Sequence, residues 1–131
     1  MNTKLALMYR DASNYKAHRD VVIEGEITEA QIAAIASKLQ DGEFFIANQV
    51  GLPTPSFQFC GKDGWPSDDL DHVFTTLTNF SDGNPAVKDL LTDLEPTEDM
   101  TITKLVALFD AIESPESWNI GAEWNRMLEA A

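Results

Sequence analysis

Apolar residues recur in this chain first with the short period of strands and later with the longer period of helices. Leu5 to Tyr9 is an apolar run suited to a strand buried on both faces. Asp11-Ala12-Ser13-Asn14 follows with residues that bond their own backbone in turns. The β-branched Val21, Val22 and Ile23 then supply a second strand, which predicts a hairpin with the first. Thr28-Glu29-Ala30-Gln31 has the form of a capping box, in which Thr28 accepts from the Gln31 amide and Gln31 reaches back to that of Thr28. Behind it Ile32, Ile35, Ala36 and Leu39 share one face of a helix that Asp41-Gly42 closes.

The middle of the chain returns to shorter periods. Phe44-Phe45-Ile46 is a short buried segment that fits either element. Gly51-Leu52-Pro53-Thr54-Pro55 is an extended or turning loop, because each proline holds its predecessor out of the helical region. Phe57-Gln58-Phe59-Cys60 alternates and reads as a strand. Asp71 to Phe80 alternates loosely, with Val73, Thr75, Leu77 and Asn79 on one face, and reads as a half-buried strand paired with it.

From Ser81 onward the spacing is helical. Asn84 is placed to cap a helix with Pro85 at its first position and a stripe of Val87, Leu90, Leu91 and Leu94, ended by Glu95-Pro96. Asp99 or Thr101 caps a second helix carrying Leu105, Leu108, Phe109 and Ile112. Ser114-Pro115 or Ser117 starts a third, with Ile120, Trp124, Met127 and Leu128 in register. With no internal repeat, low-complexity tract or dividing linker, the pattern predicts one α+β domain over residues 1–131. A small antiparallel sheet with one helix in the N-terminal half is followed by about three C-terminal helices on the same core.

Composition supports a folded chain: 131 residues that are 44% hydrophobic, with seven Phe and three Trp, can bury a core. Cys60 is the single cysteine, so no intramolecular disulfide forms, and a reducing cytoplasmic setting is expected. The short apolar run near the start falls below a signal-peptide core, and no segment approaches a membrane span.

Charge changes the picture more. Residues 1–60 hold seven acids and five bases, whereas residues 61–131 hold fifteen acids and four bases, within a net charge of −13. Such a field repels nucleic-acid phosphates and acidic membrane surfaces and attracts basic partners over the screening length. The acids concentrate at Asp89, Asp93, Glu95, Glu98 and Asp99, with Asp89 and Asp93 expected one turn apart on a polar helix face. Asp110, Glu113 and Glu116 continue the sign. An array of this kind resembles a row of phosphates and suits a basic groove on a nucleic-acid-binding protein. Solubility, or adaptation to high salt, accounts for the same acids without a partner.

Other candidate chemistry is thinner. Asp68-Asp69-Leu70-Asp71-His72 is the densest group of hard-metal ligands. Were the segment a strand, Asp69 and Asp71 would share one face, and a small metal-binding protein or hydrolase is the alternative reading built on it. Its competitor is a solvated acidic turn. His18-Arg19-Asp20 spells a kinase catalytic triplet, but no Gly-rich loop or DFG accompanies it. Cys60 with His18 or His72 has the residue types of thiol catalysis, although a cysteine ending an apolar strand is more often core. Trp124 sits on a helix stripe and belongs to the core. Trp65, in Gly64-Trp65-Pro66, is either a lid on the core or an exposed anchor for a partner. No phosphate-cradling loop, nucleophile elbow or CxxC pair is present, and no cofactor is expected.

The opening Leu5-Ala6-Leu7-Met8-Tyr9-Arg10-Asp11-Ala12-Ser13-Asn14-Tyr15-Lys16 and the later Asp41-Gly42-Glu43-Phe44-Phe45-Ile46 with Gln49-Val50-Gly51-Leu52-Pro53 resemble small uncharacterised proteins of phages and mobile elements. The likeness reaches about residue 75 and carries no catalytic residue with it. It implies a setting in which small acidic cargo is directed against host defences, as anti-CRISPR and anti-restriction proteins are. The expectation is therefore a non-enzymatic protein that binds no nucleic acid itself. It would engage a basic nucleic-acid-binding host protein or effector complex through Asp89, Asp93, Glu95, Glu98, Asp99, Asp110 and Glu113, with Trp65 adding specificity.

Overall fold

Alternation, rather than a continuous apolar run, shapes the first strand of the computed structural model, which describes residues 1–131. In β1 (Asn2–Arg10) the side chains of Thr3, Leu5, Leu7 and Tyr9 are buried, while Asn2, Lys4, Ala6 and Met8 on the opposite face stay partly open. The strand is thus buried on one face, not two, as befits an antiparallel sheet with one wet side. The hairpin to β2 (Lys16–Ile23) forms as the sequence predicts, pairing Arg10 with Lys16 through to Thr3 with Ile23. Its turn is built by Asp11, whose Oδ1 accepts from the amides of Ser13 and Tyr15, each at 2.9 Å.

Thr28 and Gln31 form the full capping box of α1 (Glu29–Ala36), with Ile32 and Ile35 buried beneath it. Leu39 is also buried, in the turn beyond the helix end. Phe44-Phe45 forms the short strand β3. Phe57 to Cys60 departs from expectation. Pro55–Phe59 is a 3-10 helix, with Phe57 N–H donating to the Thr54 carbonyl at 3.1 Å. Proline at its start supplies a preset φ and lacks a donor that would go unused there. The two phenylalanines point to different neighbours across this turn: Phe57 packs edge-on against Trp65, and Phe59 lies beside Tyr9. A spacing of two reflects that division and no strand.

The Asp71–Phe80 stretch is extended only over β4 (Thr75–Leu77), whose partners are β1 and β3 rather than residues 57–60. Thr78–Phe80 then tightens into a 3-10 turn. The helix expected from Asn84 is a single turn, α2 (Val87–Leu90), with Ala86 at its cap position and no side-chain cap. Leu91 and Thr92 leave it as β5, because their backbone pairs with Thr3 and Asn2. One antiparallel sheet results, in order β2-β1-β4-β3, with β5 beside the start of β1. Between the reach of β4 and that of β5, the edge of β1 opposite β2 lacks a strand partner. Side chains fill the gap: Asn79 Oδ1 accepts from Ala6 N–H at 2.7 Å, and Thr78 Oγ1 donates to the Ala6 carbonyl at 3.1 Å. Asn79→Ala is expected to lower unfolding stability by about 1–3 kcal/mol in urea titration by leaving that amide unpartnered. Asn79→Asp, which keeps the acceptor, should lose less.

Thr101 caps α3 (Ile102–Asp110) by accepting from the Lys104 amide, and Ile102, Leu105 and Phe109 face inward. The last helix, α4 (Ile120–Ala130), starts later than the sequence suggests and is capped by Asn119. Its buried face is also turned. Ile120 and Leu128 are 51% and 49% exposed, while Glu123 and Met127 are buried and Trp124 is partly so. A core of 23 buried residues runs from Leu5 to Met127. At its middle Phe45, Phe109 and Trp118 form a triangle with ring centroids 5.6, 6.2 and 6.0 Å apart. The Trp118 indole N–H donates to the Lys38 carbonyl at 2.9 Å, so this core residue also ties the turn before α4 to the end of α1.

Candidate partner-binding surface

The acidic residues of the C-terminal half divide between two places. Residues 93–101 form a strap across one end of the sheet, pinned by backbone bonds. Thr97 N–H donates to Val22 O at 2.9 Å, Ile102 N–H to Glu24 O at 2.8 Å, and Glu24 N–H to Met100 O at 3.3 Å. The Thr97 hydroxyl accepts from Val22 N–H at 2.8 Å, and Asn2 Nδ2 donates to Leu94 O at 2.9 Å. Gly25, with φ of +104°, lets this end of β2 lie close to α3, because a Cβ there would come within 3.0 Å of Ile102 Cγ2.

On this frame Asp93, Glu95 and Asp99 are exposed, and Asp89 is exposed on α2 just before β5. The expected Asp89–Asp93 pairing on one helix face does not form, since the helix ends at Leu90 and Asp93 follows a strand. Glu98 turns inward. Its carboxylate accepts from the Thr97 hydroxyl at 2.7 Å and lies 4.0 Å from Arg19 Nη2. Sequence reasoning missed Glu24 and Glu26. Glu24 bridges to Thr101, and Glu26 follows two residues later, so both exposed acids join the strap's end of the molecule. Nothing in their local spacing marks this, because the contact spans 77 residues. Asp110 is the last residue of α3, about 13 Å along its axis at 1.5 Å per residue, and Glu113 follows three residues beyond it. There Lys38 Nζ donates to the carbonyls of Ile112 and Glu113, placing a cation at the helix C-terminus where the dipole favours one.

The charges of the strap are little compensated. Of the 22 acidic side chains, only Asp20, Glu26, Glu98 and Glu123 stand in ion pairs. Asp89, Asp93, Glu95 and Asp99 therefore face solvent as free carboxylates held on a fixed backbone.

The Asp68–His72 group is a turn, with Leu70 and Asp71 N–H both donating to Ser67 O, so its carboxylates do not line up as on a strand. Asp68 and Asp69 are exposed, but Asp71 and His72 are committed to internal bonds. Asp71 Oδ1 accepts from the Tyr9 hydroxyl at 2.7 Å and Oδ2 from Ser67 N–H at 2.8 Å. His72 Nδ1 accepts from Phe74 N–H at 3.0 Å, which leaves Nε2–H to donate to Arg10 O at 2.9 Å. Both imidazole nitrogens are occupied, and no three His, Cys, Asp or Glu side chains converge in the molecule. The residues serve to lock the 65–74 loop onto β1.

Trp65 is a lid. It is 8% exposed, packs on Phe57, and forms part of the wall of a cleft of about 390 Å³ beside Tyr15 and Lys62. Cys60 is exposed, and its thiol donates to the Ala130 carbonyl at 3.0 Å.

Tyr9 stands apart electrostatically. Burial, and next its bond to Asp71, hold its phenol well above the ordinary value of 10.0. The unfolded chain loses that proton first, so the Tyr9 contribution to stability is complete below pH 10 and declines as pH rises above it. The wild-type protein should lose about 1.4 kcal/mol per pH unit in that window through this group. Tyr9→Phe should remove this slope in denaturant titrations across the alkaline range, while costing roughly 1 kcal/mol near neutrality. An unchanged slope would contradict the assignment.

Compared with known proteins, the chain matches no family model, and neither a curated protein nor a solved structure matches it. No helix is long and apolar enough to cross a membrane.

Proposed function

We propose that this protein is a non-enzymatic binding protein whose acidic strap docks onto the basic, nucleic-acid-binding surface of a partner. One observation carries the reading. Asp93, Glu95 and Asp99 are uncompensated and mounted on a segment that backbone and side-chain hydrogen bonds to β1 and β2 hold in place. Ordered carboxylates lose less freedom on association than those of a flexible acidic tail, so more of their attraction appears as affinity. Their field speeds encounter with a basic groove and confers steep salt dependence. Glu24, Glu26 and Asp89 extend the patch; Asp110 and Glu113 form a second, separate one. The phage and mobile-element setting implied by the N-terminal resemblance makes a CRISPR or restriction effector complex in the host cytosol the natural instance of such a partner.

The test is a pull-down of tagged protein from host lysate at low and then high salt, with bound proteins identified by mass spectrometry. A basic nucleic-acid-binding protein released by salt and displaced by duplex DNA is the expected result. The triple variant Asp93→Lys, Glu95→Lys, Asp99→Lys should weaken its capture by roughly tenfold or more at low salt, with Asp110→Lys weakening it less. Retention that ignores salt, or a triple variant that binds as well as wild type, would defeat the reading.

A further inference from the structure

Two of the three arginines in this strongly acidic chain line a single cleft, on the face of the molecule where α4 meets the 52–58 segment. The cleft measures about 360 Å³, within the range of small-molecule sites, and its walls include Leu52 and Phe57. We propose that it binds the carboxylate of a small apolar acid, either a free aromatic acid or the C-terminal residue of a peptide.

Arg126 is built for such a role. Its Nε and Nη2 form a fork to Glu123 at 2.7 and 2.9 Å, and Nη2 also donates to Thr54 Oγ1 at 2.7 Å. The guanidinium lies 4.2 Å over the Phe57 ring. Three of its five N–H groups are thereby engaged and its plane is fixed, while both Nη1 hydrogens have no protein acceptor. A guanidinium already immobilised loses little further entropy when it binds an oxygen. Arg19 supplies the second cation. Its side chain is 52% exposed, and the one acid it pairs with, Glu98, lies at 4.0 Å, beyond hydrogen-bond length. Asn48 adds an amide at the rim.

Charge selects the ligand. Glu123 and Glu98 offset the two arginines locally, and the rest of the chain is acidic. A phosphate dianion therefore meets repulsion that a monocarboxylate largely escapes, and Pro53 and Phe57, partly exposed in an otherwise polar lining, give a hydrocarbon body apolar contact beside the arginines. The buried pair also gains a reason to exist. A matched apolar pair at Glu123 and Arg126 would serve packing as well or better, but it would not hold a guanidinium at a cleft wall.

The test is titration of isotope-labelled, full-length protein followed by amide chemical shifts. The probes are benzoate, benzamide, inorganic phosphate, a tripeptide ending in phenylalanine and the C-terminal amide of that tripeptide. Saturable shifts at Asn48, Thr54 and Phe57 are expected with benzoate or the free tripeptide and not with either amide. Whichever carboxylate saturates at lower concentration identifies the source. Arg19→Gln should weaken binding about tenfold with an unchanged melting temperature, and Asn48→Ala repeats that readout should Arg19→Gln perturb folding. The proposal fails if neither carboxylate gives saturable shifts below about 10 mM, if the amides bind equally, if phosphate binds as tightly, or if the folded variants bind like wild type.

Discussion

Arg126→Ala is expected to lower unfolding stability by about 3–5 kcal/mol, a large part of the roughly 5–15 kcal/mol that holds a domain of this kind folded. The reason lies with its partner. Glu123 is 1% exposed, and its carboxylate has Arg126 as its sole charged partner. Truncation leaves that carboxylate buried without a counter-charge, beside a Phe57 ring that has lost its cation and a Thr54 hydroxyl that has lost its donor. Denaturant titration reads the loss directly. Glu123→Leu combined with Arg126→Leu should recover most of it, because replacing both charges removes the desolvation penalty along with the attraction. Arg126→Lys should fall between, keeping a charge but not the planar fork. A stability within about 1 kcal/mol of wild type for Arg126→Ala would mean that water reaches Glu123 and the pair is superficial.

Phe109→Ala should be comparably severe, at about 3–5 kcal/mol. Its ring is fully buried at the centre of the triangle with Phe45 and Trp118, so truncation opens a cavity between α3, β3 and the turn before α4. Trp118 is anchored on its other side by Lys38 O and cannot freely collapse into the space. Thermal melts and tryptophan emission provide the readout. Losses from Phe109→Ala and Trp118→Ala should add to more than the double variant loses, since the two rings share one contact. Full additivity would show that the triangle does not act as a unit.

Both predictions rest on residues that local pattern places poorly. Periodicity puts Ile120 and Leu128 on the inner stripe of α4, yet both are about half exposed, while a glutamate occupies the buried face. The arginine that permits this is three residues on, but the threonine and phenylalanine that complete its setting are about 70 residues away. The Asp68–His72 group likewise looks like a ligand set because sequence shows residue types without their partners. Tyr9 and Arg10 claim Asp71 and His72 only once β1 and the loop are side by side.

The division has a physical origin. The sequence by itself determined what short-range bonds decide. The Asp11 turn, the Thr28–Gln31 box, the Thr101 cap and the apolar stripe of α3 each need partners no more than a few residues apart, and each is present. It also determined the α+β class and the heavy negative charge. Tertiary structure alone decided where segments of weak local preference went. Leu91 and Thr92 became strand because β1 offered free backbone there, and the Phe57 turn formed where Trp65 and Arg126 gave its ring two sides to pack on. It likewise brought Glu24 beside Thr101 at the end of the strap that carries Asp93, Glu95 and Asp99, and set two arginines around one cleft. Pairing energies between strands and the burial of charge depend on which groups meet in space, and the order of residues along the chain does not carry that information locally.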